Sequence, residues 1–336
     1  MTNEMRPAAM LGVDAGGTKV TAGPVDVSGR MLAEPITEPS QTRDTASFVD
    51  GLIGTLRRAI REFGVAEGGV GPGGLTLGGL GMACAGTVDP VDGMVVASPN
   101  LPLHRVPLRD MLEKALGMPV VLENDANAAV LAEATTGVAA GLRHVVMLAL
   151  GTGIGGGIYL DGRLYRGVGG GAGELGHMIV LADGEPCRCG SRGCLEMYAS
   201  GKALGRAGAR RAASADLDPL GVLADLSARG ELDGAHVGKL ATEGYPGAVA
   251  AVDEVARWLG VALVNLTNTF NPEMIVVGGA VSALGEMLLR PAREVLRELA
   301  MLPNKDQVRV AIASLGNSAG LVGGGLVAWQ TLRPAG

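Results

Sequence analysis

The sequence predicts an α/β protein of two domains with mixed β-sheets. Its 336 residues are roughly twice the ~150 of an average domain. Strands alternate with helices through the second half, the pattern of α/β layers. A strand, a glycine-rich turn and a second strand occur near residues 11 to 25 and again near 145 to 166, which hints at two related halves.

LGVDAGGTKVTAGPVDVSGRML reads as strand, tight Gly-Gly turn, strand, Ser-Gly turn and the start of a third strand, so antiparallel hairpins open the fold. Residues 45 to 63 carry apolar residues at helical spacing. AEGGVGPGGLTLGGLG is dense in glycine, yet no Lys or Thr is placed to complete a phosphate loop. It reads as a connection into the buried strand GLGMACAG. Residues 107 to 117 form a short helix, MPVVLEND a strand ending at Asp125, and ANAAVLAEATT an Ala-rich helix. HVVMLAL is a buried strand, and after GTGIGGG the alternating GIYLDGRLYRG makes a second hairpin at Asp-Gly. Residues 200 to 265 are mostly helical, with SARGELDGAHVGK expected as a surface loop. PEMIVVGGAVS is a strand, turn and helix, and VRVAIASLGNSAGLVGGGLVAWQTL repeats that order to the end.

Composition excludes several function classes. With 28 Lys+Arg against 34 Asp+Glu the net charge is −6, which argues against nucleic acid or an anionic membrane as the main partner. No apolar run reaches the ~18 residues of a spanning helix. The start, MTNEMRPAAMLGVD, lacks a signal-peptide core, so a cytoplasmic protein is expected. The 55 glycines are more than twice the usual ~7%, but they follow no Gly-X-Y period. Abundant Ala, Gly and Arg together also fit a coding bias, so only position gives a glycine meaning. With two Trp, four Tyr and three Phe, the cores rest on Ala, Val, Leu and Met, and base-stacking platforms are not expected.

Gly151, Gly153 and Gly156 have the spacing of a dinucleotide fingerprint, but a strand follows where that motif needs a helix. Two turns remain, Asp14-Ala15-Gly16-Gly17-Thr18-Lys19 and Gly151-Thr152-Gly153. Each is either a plain hairpin turn or a cradle whose bare amides and Thr hydroxyl meet phosphate oxygens. Gly278-Gly279 after a buried strand adds weight to the cradle, and Asp14 is suited to hold a nucleotide's Mg²⁺ through water. Glu123-Asn124-Asp125 ends a strand and opens a helix. Two roles stay open there: a helix cap, or a carboxylate kept ionised at a helix N-terminus to take a proton. His177, Cys187, Cys189 and Cys194 lie within eighteen residues. They fit a closed tetrahedral zinc site, structural because no ligand position is left open. The alternative is a core histidine and three free thiols. Cys84 reads as packing, and His104, His144 and His236 as surface residues.

Together DAGGTK at 14 to 19, ENDANAA at 123 to 129, LGTGIGGG at 150 to 157, GELGH at 173 to 177 and CRCGSRGCLE at 187 to 196 resemble the ROK family of bacterial sugar kinases and repressors. The likeness to its glucokinases runs from about residue 10 to 330. Ala15 stands where the family usually has Ile, a change expected to be neutral. The resemblance implies an actin-like/hexokinase-like (ribonuclease H-like) fold with an interdomain cleft. The smaller domain is expected at residues 1–124 plus 319–336, and the larger, with the zinc loop, at 125–318.

It further implies ATP-dependent phosphorylation of a hexose at the 6-hydroxyl, glucose first, with Asp125 as base. Asn100, Asn124, Glu174, His177 and Glu196 are expected to hydrogen-bond the sugar, with His177 binding metal through one ring nitrogen and sugar through the other. The turns at Gly16, Gly17, Thr18, Lys19, Gly151, Thr152 and Gly153 are expected to hold the ATP phosphates, with Mg²⁺ near Asp14 and the adenosine near Gly278 and Gly279. At these glycines a side chain is expected to block the nucleotide, whereas Gly68 to Gly81 is expected to matter least, so that Gly73→Ala does little. N-acetylmannosamine, N-acetylglucosamine, fructose and allose are the alternative acceptors, polyphosphate an alternative donor, and a homodimer or homotetramer is implied. A sugar-responsive repressor fits less well, since only about ten residues precede the first strand and no basic recognition helix is evident. A filament protein has no use for GELGH or the zinc loop.

Overall fold

The computed structural model describes residues 9 to 64 and 75 to 332. In chain order the elements are β1 (Ala9–Ala15), β2 (Lys19–Val25), β3 (Ile36–Pro39), α1 (Thr45–Phe63), β4 (Leu77–Cys84), β5 (Thr87–Asp89), β6 (Met94–Ala97), β7 (His104–Val106), α2 (Leu108–Leu116), β8 (Val120–Asn124) and α3 (Asp125–Thr135). There follow β9 (Val145–Leu150), β10 (Ile154–Leu160), β11 (Arg163–Leu164), α4 (Glu196–Ala199), α5 (Gly201–Arg211), α6 (Val222–Ala228), α7 (Gly234–Thr242), α8 (Pro246–Phe270), β12 (Met274–Gly278), α9 (Glu286–Leu299), α10 (Asn304–Gln307), β13 (Arg309–Ile312) and α11 (Ala319–Leu332). Packing divides them into two compact units. The first is Met1–Gly141, Arg163–Ala172 and Leu315–Gly336, and the second is Leu142–Gly162 and Gly173–Ser314.

The hint of two related halves is a repetition of topology. In the first unit β1 pairs antiparallel with β2 and parallel with β4, which pairs parallel with β8. In the second, β9 pairs antiparallel with β10 and parallel with β12, which pairs parallel with β13. Both glycine-rich turns therefore sit at the same place in the pattern, between the two antiparallel strands. A three-stranded antiparallel sheet, β5-β6-β7, is an addition that the sequence did not reveal.

Helix α1 spans the expected residues because the Asp44 carboxylate accepts from Ser47 N at 2.7 Å and the helix stops at Gly64. Its Phe48, Leu52 and Leu56 pack with Leu112 of α2 and with Val13, Met82 and Leu122 of the sheet. The second core packs Val146, Leu148, Ile275 and Val277 with Leu259 and Leu263 of α8 and Leu288 of α9. The segment SARGELDGAHVGK is not one loop: residues 234 to 242 form α7, since Asp233 caps His236 N at 2.9 Å and Val237 and Ala241 are buried. Among the described residues no helix is long and apolar enough to cross a membrane.

The other face of the first sheet corrects the expectation about glycine. Helix α11 is buried almost all round, as its uniformly apolar sequence requires. It reaches the sheet backbone to backbone: a Cβ on Gly324 would stand 2.6 Å from the Gly81 carbonyl oxygen and 2.9 Å from that of Val13. Gly81 thus belongs to the stretch expected to matter least and yet is one of two glycines that let a helix lie directly on β4. Residues 68 to 74, Gly73 among them, lie outside the described residues.

Candidate functional site

In the first unit the chain turns from β8 into α3 at Asn124 and Asp125. Asn124, not Asp125, does the capping: its Oδ1 accepts from Ala126 N at 2.9 Å and Asn127 N at 3.0 Å. Its Nδ2 donates to Gly86 O at 2.9 Å and to Asp125 Oδ1 at 3.0 Å. Asp125 is exposed, and Ala126 N also donates to its Oδ1 at 2.9 Å. The two open roles are therefore split between neighbours. Asn124 satisfies the free amides, while Asp125 presents an exposed carboxylate at the helix N-terminus. The Asn124 amide is committed on both sides to the protein.

Asp14 lies at the end of β1, in register with Thr21 of β2 and Ala83 of β4. Its carboxylate rests against the first turn of α11, where a Cβ on Gly320 would come within 2.7 Å of Asp14 Cγ. Burial pushes its pKa up to about 6; the charge of Asp125 raises it further and Lys19 opposes both. The adjoining turn is fixed by Gly16 N donating to Lys19 O at 3.0 Å and Ser40 Oγ donating to Gly16 O at 2.6 Å. It leaves Thr18 and Lys19 exposed. Gly17 packs on the Asn100 backbone, with room for a Cβ only 2.8 Å from Asn100 O, so the turn and the SPNL loop are brought together.

In the second unit the turn after β9 closes by Gly151 N donating to Gly153 O at 2.9 Å. Gly201 N, at the start of α5, donates to Gly151 O at 2.8 Å. Ile154 N donates to Glu196 Oε2 at 2.9 Å, so an expected sugar residue is bonded to the backbone of an expected phosphate turn. The reason for glycine differs from position to position. A Cβ on Gly153 would overlap the Glu196 carboxylate, and one on Gly279, at φ 82°, would stand 2.5 Å from the Leu150 carbonyl carbon. A Cβ on Gly151, by contrast, would come no nearer than 4.0 Å, to Gly153 O. Within this unit a cavity of about 760 Å³ is lined by Gly151, Thr152, Lys202, Asp233, Lys239 and Val281. Gly278 and Gly279 do not line it; the residues that follow them do. Lys202, Asp233 and Lys239 were not foreseen, because nothing in their spacing marks them.

The ligand atoms of His177, Cys187, Cys189 and Cys194 all lie within 4.8 Å of one another. Cys187 Sγ is 3.6 Å from His177 Nδ1, and Cys189 Sγ is 3.6 Å from Cys194 Sγ. A tetrahedral zinc with bonds of 2.3 Å to sulfur separates its sulfurs by about 3.8 Å. The four residues therefore fit a closed tetrahedral site. The loop is drawn together by Cys187 N donating to Ser191 O at 2.8 Å and Leu195 N to Met178 O at 2.9 Å, with Gly193 at φ 73° against Leu181 O. Nδ1 of His177 faces the thiols, and Nε2 faces away, 4.0 Å from Glu174 Oε2. Cys84 is buried in β4, where burial pushes its thiol up to about 12, as a packing residue should be.

Comparison with known proteins bears on the whole chain. The ROK family model matches residues 10–331. The glucokinase of Streptomyces coelicolor is 37% identical over 316 residues, 93% of this chain and 95% of that one. The glucokinase of Thermotoga maritima is 35% identical over 320 residues, 94% and 95% of the two chains. A ROK family glucokinase from Streptomyces griseus, solved in complex with glucose and AMPPNP, matches with a TM-score of 0.79 at 37% identity, covering 96% of this chain and 99% of that one.

Asp14 makes stability depend on pH. Its folded pKa of about 6 lies above the ordinary 3.8, so below about pH 4 the group contributes nothing. As pH rises from about 4 to about 6 the unfolded chain ionises this group while the fold keeps it protonated, so the fold loses about 3 kcal/mol across that window, and the loss persists above. Asp14→Asn is expected to raise the urea midpoint at pH 7.5 without nucleotide and to change it little at pH 4.5. An equal effect at both pH values would contradict the assignment.

Proposed function

The chain belongs to the ROK family, and on that premise we propose that it transfers the γ-phosphoryl group of ATP to the 6-hydroxyl of a hexose, glucose before others, with Asp125 as base. It is a hexokinase-type sugar kinase, like the glucokinases that it resembles over most of its length. The observation that carries the assignment of the base is the division of labour at the corner: Asn124 caps α3, leaving the exposed Asp125 carboxylate at the helix N-terminus. There the helix dipole favours the ionised form that takes a proton.

As the sugar O6 forms its bond to the γ-phosphorus, the bond from that phosphorus to the β-bridging oxygen breaks, and the hydroxyl proton passes to Asp125. Little else is required of the protein than alignment and charge. Asn100, Glu174, His177 Nε2 and Glu196 hold the sugar hydroxyls, while Asn124 holds Asp125. The amides and hydroxyls of Gly16-Gly17-Thr18 and Gly151-Thr152-Gly153, with Lys19, receive the phosphates, and the cavity beside Thr152 receives the adenosine. Mg²⁺, when bound with the nucleotide, would neutralise phosphate charge. Asp14, half-buried at the end of β1 beside the first turn, is the residue suited to hold it through water. Zn²⁺ in the His177, Cys187, Cys189 and Cys194 site is structural: with Nδ1 taken, Nε2 is free for sugar. Free thiols in this set suit a reducing cytoplasm.

Asp125→Ala is expected to lower kcat by about 10²–10⁴-fold, the worth of a positioned base, while glucose binding by calorimetry changes little; near-normal turnover would remove the assignment. In a coupled assay crossing a hexose panel with ATP and polyphosphate, glucose with ATP is expected to give the highest kcat/KM. Cys189→Ser is expected to lose zinc, measured by mass spectrometry of the metal, together with activity. A zinc-free variant with full activity would show that the metal does not hold the sugar loop.

A further inference from the structure

Glu123, the residue that opens the corner, is 3% exposed. A carboxylate so buried keeps its charge only if its oxygens are bonded. Its Oε1 accepts from Asn124 N at 3.0 Å and from Asn127 Nδ2 at 3.0 Å, and its Oε2 accepts from Arg166 Nε at 2.6 Å. Asn127 is itself buried, and its Oδ1 has no hydrogen-bond partner. Its orientation therefore answers to Glu123, since turning the amide over would set its oxygen against the carboxylate. Arg166 is part of Arg163–Ala172, a stretch of the first unit that the chain visits between two parts of the second. Ala172 N donates to Arg166 O at 3.0 Å and closes that stretch, and Glu174 follows two residues later. None of the motifs that identify the family includes Arg166.

We propose that Arg166 is a positioning residue for phosphoryl transfer, acting through Glu123 to hold the corner that presents Asp125. The chain of contacts is continuous: Arg166 neutralises Glu123, Glu123 holds the Asn124 amide, and the Asn124 side chain holds Asp125 Oδ1 and the first amides of α3. Without the guanidinium, the buried Glu123 carboxylate loses its bonded counter-charge, and its bonds to Asn124 and Asn127 loosen as it turns toward water. The Arg166 side chain is 32% exposed, so its loss opens no core cavity. The inference rests on Asp125 being the base.

The test is a double-mutant cycle on the full chain with Glu123→Gln and Arg166→Met, alongside Arg166→Lys and Asp125→Ala. A displacement of the base by about 1 Å lowers the rate by up to about 10²-fold. Arg166→Met is therefore expected to reduce kcat by about 10–100-fold, with KM for glucose and ATP and the stoichiometry of glucose binding little changed. Arg166→Lys is expected to keep more of the rate, since an ammonium still compensates Glu123. The double variant should turn over faster than Arg166→Met alone, because the unpaired buried charge is gone. Wild-type kcat in Arg166→Met, a loss of kcat that only matches a loss of glucose-binding sites, or a double variant equal to the product of the singles would each overturn the proposal. Turnover retained by Asp125→Ala would instead overturn the base assignment on which it rests.

Discussion

The constraint at the centre of the first unit is a carboxylate, Asp14, withdrawn from water at the end of β1 and within range of the charge of Asp125. Asp14 is pushed up by burial first and by Asp125 second. What opposes the shift is Lys19, one turn away in the opening hairpin. Two helix N-termini also stand at this place: α3 begins at Asp125, and the first turn of α11 lies against Asp14. A helix end carries a partial positive charge only over its first turn, so the helices must come very near. The glycines of α11 and β4 permit that approach, with backbone on backbone at Gly81 and Gly324.

The second unit solves a different problem, that of holding polar groups still on a loop with little regular structure. Between β11 and α4 the only described helix is a single 3₁₀ turn, Leu175–His177. Four side chains that could hold a metal, His177, Cys187, Cys189 and Cys194, compensate, converging from a short stretch into a cluster small enough for one ion. The same stretch ends in Glu196, whose carboxylate accepts from Ile154 N. The Glu196 carboxylate and the turn at 151 to 153 are in this way parts of one hydrogen-bonded structure, and Gly153 is glycine because Glu196 occupies the space of its Cβ.

Features set by local spacing were legible in the sequence. The opening hairpin, α1 with its residue-to-residue bounds, the corner at Asn124 and the metal cluster each depend on neighbours within a few residues. The helix at 234 to 242 was not legible, because its polar run and glycines outweighed the Asp233 cap that starts it. Nor were the packing roles of the glycines: Gly279, expected near the adenosine, also stands against the Leu150 backbone, and Gly81, expected to matter least, lets α11 lie on β4. The Arg166–Glu123 pair joins residues 43 positions apart. No pattern in one sequence links an arginine after a hairpin to a glutamate before a helix.

The base assignment meets its most direct test in a crystal structure of this chain with glucose and a non-hydrolysable ATP analogue. An Asp125 carboxylate oxygen is predicted to lie within about 2.6–3.2 Å of the sugar O6, the reach of a general base, with His177 Nε2 on another hydroxyl and Nδ1 on the metal. If O6 instead lies against Glu174 or Glu196, with Asp125 turned away from the sugar, then Asp125 is not the base and the corner at 123 to 125 serves only to cap a helix.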